Sequence, residues 1–133
     1  MPALPARQSQ ARTPEALHAI IEDAYNRGDL DAYAEAYDDA AAVIAPPEGR
    51  ALHGRDQIRA AAAPLFALRL RMTMVIDTKL ETDGIALTHG RWTLAVTDAG
   101  GNCTELIGCG TTVSRRTPDG TWRIVLDNAL SPA

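Results

Sequence analysis

Leu68-Arg69-Leu70-Arg71-Met72-Thr73-Met74-Val75-Ile76-Asp77 is where the chain changes period. Upstream, apolar residues recur every three or four positions, as on a helix face. From Leu68 they recur every second position, as on a strand with one face buried. The alternation runs into Asp83-Gly84, a two-residue hairpin signal. Beyond it Ile85 to Thr97 reads as a second strand, with a bulge expected near Thr88-His89-Gly90, where the apolar positions change from odd to even. Asp98 to Asn102 is a turn, Cys103 to Arg116 a third strand, and Pro118-Asp119-Gly120 turns into a last strand, Trp122 to Asn128. The back of the chain is thus a four-stranded antiparallel meander.

The front reads as three helices. Thr13 is an N-cap, Pro14 suits the first helical position and Glu15 suits the first turn. Leu17, Ile20, Ile21, Ala24 and Gly28 follow on one stripe, which places His18 off it, and Arg27-Gly28 closes the helix. Asp29 caps a second helix carrying Leu30, Tyr33, Ala34 and Tyr37, with a break expected at Asp38-Asp39. Val43-Ile44-Ala45 is a short strand and Pro46-Pro47-Glu48-Gly49 a loop. His53-Gly54-Arg55-Asp56 leads into a third helix with Ile58, Ala62, Leu65 and Phe66 on one side, and Pro64 is expected to kink or shorten it. Helices segregated from an antiparallel sheet define an α+β domain.

The 133 residues suffice for one domain. We read residues 1–12 as a polar tail and 13–131 as that domain. Lys and Arg number 13 against 17 Asp and Glu, for a net charge of −4, which argues against nucleic-acid or anionic-membrane partners. No apolar run reaches the roughly 18 residues that span a bilayer, and Met1 to Arg12 has no secretory pattern. Cys103 and Cys109 lie six apart on one strand, roughly 20 Å by strand rise, too far to pair. Two buried thiols in a reduced, cytoplasmic setting fit best. The three histidines, His18, His53 and His89, are scattered, so no metal site is expected. Gly108-Cys109-Gly110 lacks the following helix of a phosphate loop, so no cofactor is expected either.

Several motifs in this order carry a resemblance: Asn26-Arg27-Gly28-Asp29-Leu30, Tyr37-Asp38-Asp39-Ala40, Leu52-His53-Gly54-Arg55-Asp56-Gln57-Ile58, Gly90-Arg91-Trp92 and Trp122-Arg123-Ile124-Val125-Leu126-Asp127-Asn128. Together they resemble the nuclear transport factor 2-like superfamily, also called SnoaL-like or ketosteroid-isomerase-like. The Gly-Arg-Trp strand and the Trp-Arg-Ile-Val ending are most similar to its SgcJ/EcaC-type branch. The resemblance implies a cone-shaped domain with three N-terminal helices on a curved antiparallel sheet and a pocket at the open end. It also implies a homodimer through the outer sheet face and a small-molecule ligand, apolar or carbonyl-bearing. Ketosteroid isomerase chemistry needs a carboxylate base, a Tyr and a protonated Asp. Carried over by spacing, the base falls on Ala45, the Tyr on Ile21 and the Asp near Thr112, and none of these can supply its role.

The remaining candidates each have two readings. Asp127 interrupts the apolar Ile124-Val125-Leu126 run, and by the family's register it points into the cone. There it acts as a general acid or base, or else it is a strand-end Asp bonded to a backbone amide or an Arg. His89 and Arg91 share a strand face, either in the pocket with Arg91 on Asp127 or a substrate carboxylate, or at an interface. Trp92, Tyr25 and Tyr37 are core or pocket wall; His53 is a capping residue or catalytic, and Asn128 is a weaker ligand contact. Three functions compete: a small-molecule-binding protein with acid–base catalysis by Asp127, a non-catalytic dimerisation or interaction module, and an epoxide-hydrolase-like or isomerase/cyclase enzyme.

Overall fold

The computed structural model describes residues 10–45 and 49–132. Residues 1–9 of the expected tail and most of the Pro46 to Gly49 loop lie outside them. The chain is already docked before the first helix. Ala11 is buried, its carbonyl accepts from Trp122 N at 2.9 Å, and the Arg12 guanidinium donates to the Asp119 carbonyl at 2.8 Å.

Helix α1 spans Pro14–Arg27, with the Thr13 hydroxyl accepting from Ala16 N and Gly28 taking the left-handed conformation that ends it. Helix α2 spans Leu30–Glu35 under the Asp29 cap. The expected extension to Tyr37 does not occur. Tyr37–Ala45 is strand β1, which runs through Asp38 and Asp39 instead of breaking there. Two contacts draw it out: Ile124 N donates to the Ala36 carbonyl at 2.9 Å, and the Arg55 guanidinium holds both the Tyr37 carbonyl (3.0 Å) and Asp39 (2.7 Å). Strand β2, Arg50–His53, has no strand pattern in the sequence and is formed by its antiparallel pairing with β1. Helix α3, Arg55–Phe66, starts from Gly54, with the Gln57 side chain accepting from His53 N at 2.9 Å. It passes through Pro64 and ends two residues later. Pro64 lacks only one donor there, close to the end of the helix.

Strands β3 (Arg69–Thr82), β4 (Ile85–Thr97), β5 (Cys103–Arg116) and β6 (Trp122–Ser131) form the expected meander. Asp83 (φ 48°) and Gly84 (φ 76°) both take positive φ in the β3–β4 turn, as a two-residue primed turn requires. The sheet is larger than the meander and is mixed. Its order is β2-β1-β6-β5-β4-β3, with β1 parallel to β6. The third helix therefore follows two strands instead of preceding the whole sheet.

Besides a register shift on β1 between Tyr37 and Ala42, three irregularities bend the sheet. The first lies beside Gly90, but the extra residue is Asp77 on β3, not one on β4. Strand β4 stays regular against β5 and buries its even positions, Ala86, Thr88, Trp92 and Leu94, while the odd apolar residues Ile85 and Leu87 simply face outward. A Cβ on Gly90 would lie 2.1 Å from the Val75 carbonyl oxygen, so the bulge needs glycine there. The second extra residue is Val125 on β6, between the Ser114–Ile124 and Val113–Leu126 pairs. The third lies farther along β6, between the Thr111–Asn128 and Cys109–Ser131 pairs. Helix α1 lies along β3, which is an edge strand. Asn26 accepts from Met72 N (2.6 Å) and donates to its carbonyl (3.1 Å), and Glu22 accepts from Met74 N (2.9 Å). One core, including Leu17, Ile58 and Ile124, fills the space between helices and sheet; a second, with Leu70, Met72, Trp92 and Leu94, continues it toward β3.

Cys103 and Cys109 are both free thiols. Cys103 is exposed and Cys109 half-buried, so the expectation of two buried thiols is corrected: odd positions of β5 face outward. No helix among the described residues is long and apolar enough to cross a membrane.

Candidate functional site

A cavity of about 640 Å³ opens between the helices and the inner face of the sheet, within the range of small-molecule sites. Its walls are mostly apolar, among them Ile21, Leu65, Met72, Met74 and Trp92. Asp127 is the one carboxylate among the described residues that line it.

The Val125 bulge is what aims Asp127. Trp122 and Ile124 are buried on the inner face, so strict alternation would put Leu126 inside and Asp127 outside. The extra residue reverses the parity: Leu126 is 52% exposed on the outer face and Asp127 lines the cavity. Thr112, directly across on β5, donates to Asp127 Oδ1 at 3.3 Å, and the Tyr37 hydroxyl donates to Oδ2 at 3.3 Å. The carboxylate keeps some accessible surface as part of the cavity wall, while protein atoms close around it on its other sides. That enclosure pushes its pKa up to about 6, against the two hydroxyl donors, which pull it down. At neutral pH it is mostly ionised and able to accept a proton.

Tyr37 has one hydroxyl proton and lies 3.3 Å from the Tyr33 hydroxyl, so Tyr33 donates to Tyr37 when Tyr37 donates to Asp127. The Tyr25 ring meets that of Tyr33 edge-on at 5.2 Å. All three tyrosines line the cavity, and burial raises the pKa of each, so their hydroxyls stay protonated donors.

His18 is the site residue that the helix stripe missed. It was expected to face away; it is 8% exposed, lines the cavity, and its Nε2 lies 2.8 Å from the Thr88 hydroxyl. Pro14, His18, Ile21 and Tyr25 form a second stripe at i, i+4, i+7 and i+11, beside the first. Burial lowers its pKa, partly offset by Glu15, and Nδ1 has no hydrogen-bond partner. A neutral ring with its proton on Nε2 suits both facts, since it leaves Nδ1 as a bare acceptor. Thr88 pairs with Thr112 and Thr112 with Asp127, so a polar row crosses the inner face from His18 to the carboxylate.

The other expected residues divide. Tyr25, Tyr37 and Trp92 line the cavity, with Trp92 Nε1 donating to the Ala129 carbonyl at 2.8 Å. A Cβ on Gly108 would lie 2.5 Å from the Trp92 ring, so that glycine makes room for it. His89 and Arg91 border the cavity, but their side chains turn to the outer face. His89 Nδ1 lies 3.3 Å from Asp77 and its Nε2 3.3 Å from the Pro132 carbonyl; Arg91 lies 4.0 Å from Asp77. The expected Arg91–Asp127 pair does not form, because the two residues face opposite sides of the sheet. Asn128 also falls outside the cavity lining, and its side chain accepts from Leu130 N. His53 is exposed and contributes its backbone N–H to the α3 cap. Ile21, Ala45 and Thr112, at the carried-over isomerase positions, all border the cavity and bring no ionisable group to it. Among the described residues no three His, Cys, Asp or Glu side chains gather as a metal set.

Helices laid on a curved mixed sheet around a cavity define the nuclear transport factor 2-like class of α+β domains. The family model described as the SnoaL-like domain matches residues 17–125, and the chain belongs to that family. The match ends two residues before Asp127. Similar solved structures include a conserved protein from Planctomyces limnophilus (TM-score 0.80, 18% identity, 87% of this chain and 91% of that one). A ketosteroid isomerase-like protein from Erwinia carotovora atroseptica is also similar (0.73, 22%, 89% and 94%). So is an NTF-2-like protein of unknown function from Shewanella oneidensis (0.69, 25%, 86% and 93%). A search of curated proteins finds no match.

Proposed function

We propose that this chain binds a small, largely apolar molecule in the cone, with Asp127 as its polar contact. The observation that carries the reading is the bulge at Val125, which turns a carboxylate out of the strand's alternation into a cavity of ligand size. A neutral carbonyl-bearing ligand with an acidic C–H bond would find in Asp127 a base with a pKa of about 6, next to the Tyr37 and Thr112 donors. The open cavity speaks against a purely structural module, whose cone its own side chains would fill. The absence of a second carboxylate from the described lining speaks against an epoxide-hydrolase-like arrangement. The Gly90-Arg91-Trp92 and Trp122-Arg123-Ile124-Val125 motifs support a reading of the chain as a member of the SgcJ/EcaC-type branch, and the two free thiols fit a reduced, cytoplasmic setting.

The reading also includes a homodimer. Leu80 pairs with Leu87, Leu87 with Val113 and Val113 with Leu126, an apolar row across four strands on the outer face. Leu80 is 67% exposed.

The test is thermal unfolding of wild type and Asp127→Asn against apolar carbonyl, polyketide-like and steroid-like compounds. A ligand at 100 times its Kd adds ~2.7 kcal/mol, several degrees in a domain of this size. We expect at least one shift, smaller in Asp127→Asn. An equal shift in both proteins would remove Asp127 from the site, and a flat panel would count against the cavity as a binding site.

A further inference from the structure

The Asp127 carboxylate has neutral partners only. Tyr37 and Thr112 give one hydroxyl to each oxygen, and no Lys, Arg or His nitrogen among the described residues lies within the 4.0 Å of an ion pair. Charged side chains buried in proteins are as a rule paired. The nearby elements offer no counterion. His18 on α1 is bonded to Thr88 and held neutral by burial, Arg50 on β2 is exposed, and Arg91 on β4 turns to Asp77. The other titratable groups at the site, Tyr25, Tyr33 and Tyr37, are neutral phenols.

The open side of this carboxylate is the cavity, and aromatic rings stand beside it. Tyr37 and Tyr33 have centroids 5.1 Å apart, Tyr33 and Tyr25 5.2 Å, and Phe66 lies behind at 5.1 Å from Tyr33. Ring faces carry negative potential and attract cations most strongly where water is excluded. An unpaired carboxylate next to a tyrosine cluster, with apolar walls beyond, is the arrangement that recognises a cationic nitrogen on an apolar body.

We propose that the cavity takes a ligand bearing an ammonium group, seated on the cavity side of Asp127 and beside the tyrosines, with its apolar part against Met72, Met74 and Trp92. This rests on the reading of the cone as a small-molecule site and adds the charge of the occupant. With such a ligand bound, Asp127 stays ionised and anchors it instead of taking a proton.

The test compares benzyltrimethylammonium with neopentylbenzene, a compound of the same shape in which carbon replaces the charged nitrogen. Both are titrated into the wild-type protein at pH 8 and pH 5 and followed by NMR. We expect the cation to bind about tenfold tighter at pH 8. The preference shrinks at pH 5, where Asp127 is protonated and benzyltrimethylammonium keeps its charge. Asp127→Asn removes the preference and spares neopentylbenzene, and Tyr25→Leu, an independent variant, reduces it. Equal or tighter binding of neopentylbenzene at pH 8 would overturn the inference and leave the cavity reading standing. Binding of neither compound at millimolar concentration would also overturn it, and the carbonyl panel then decides the cavity reading separately.

Discussion

Asp127 couples the cavity to the stability of the fold. Its folded pKa, about 6, lies above the roughly 3.9 of an unfolded Asp. The folded state therefore binds the proton more tightly than the unfolded state. The resulting stabilisation is full below about pH 4 and is lost as pH rises through about 6. Asn cannot ionise, so Asp127→Asn escapes that loss. We expect the melting temperature of Asp127→Asn to match wild type below about pH 4 and to exceed it increasingly between about pH 4 and 6, with the gap constant above that. Unfolding scans of both proteins from pH 4 to 8 check this. A wild type that is the more stable at pH 8 would mean that the carboxylate is stabilised where it sits. His18 acts in the opposite sense: its lowered pKa costs stability as pH falls below the unfolded value, since the buried ring resists its second proton. The two groups meet the same cavity and limit stability from opposite sides of the pH range.

At the scale of elements, the contact that most needs explaining is α1 against β3. An edge strand leaves a row of N–H and C=O groups unpaired and prone to pairing with another chain. Here Asn26 pairs both groups of Met72 and Glu22 takes Met74 N, so the helix covers the edge with side chains. Asn26→Ala strips two partners from a half-buried backbone, and we expect it to cost about 1–3 kcal/mol in chemical denaturation and to raise aggregation. A cost near zero would show that water replaces the amide freely. Elements built from local chemistry were legible in the sequence: the Thr13-Pro14 start of α1, its Gly28 end and the Asp83-Gly84 hairpin each follow from residues adjacent in the chain. Elements made by distant pairing were not. Tyr37-Asp38-Asp39 reads as a frayed helix end until β6 and Arg55 arrive from elsewhere in the chain. The site divides in the same way. Tyr25, Tyr37 and Trp92 sit on apolar faces that a pattern reveals. The inward turn of Asp127 depends on a bulge at Val125, a residue no different in kind from its neighbours, and only the family's register suggested it. The bulge at Asp77 left its mark in the sequence as Gly90, one strand away from the extra residue.

For the whole molecule, the two faces of the sheet take different work. The inner face holds the cavity; the outer face is polar at one end, with Arg69, Arg71, Thr73 and Thr93, and apolar along the Leu80, Leu87, Val113 and Leu126 row. The two bulges create that row. After Asp77 the register of β3 sets Leu80 on the face of Leu87, and after Val125 that of β6 sets Leu126 on the face of Val113. The Val125 bulge thus turns Asp127 inward and Leu126 outward in one step, so cavity and outer row share a cause. Leucines standing 67% and 52% exposed in one cross-strand row cost free energy in water unless something covers them. A second copy placing the same row against this one would bury both, as two-fold interfaces do. We therefore expect the protein to sediment as a dimer at micromolar concentration, and Leu80→Lys combined with Leu126→Lys to sediment as a monomer with its fold intact by circular dichroism. Neither leucine lines the cavity, so any ligand-induced thermal shift survives in the monomer. A wild type that is monomeric at tens of micromolar would refute the dimer and leave the exposed row to a different partner.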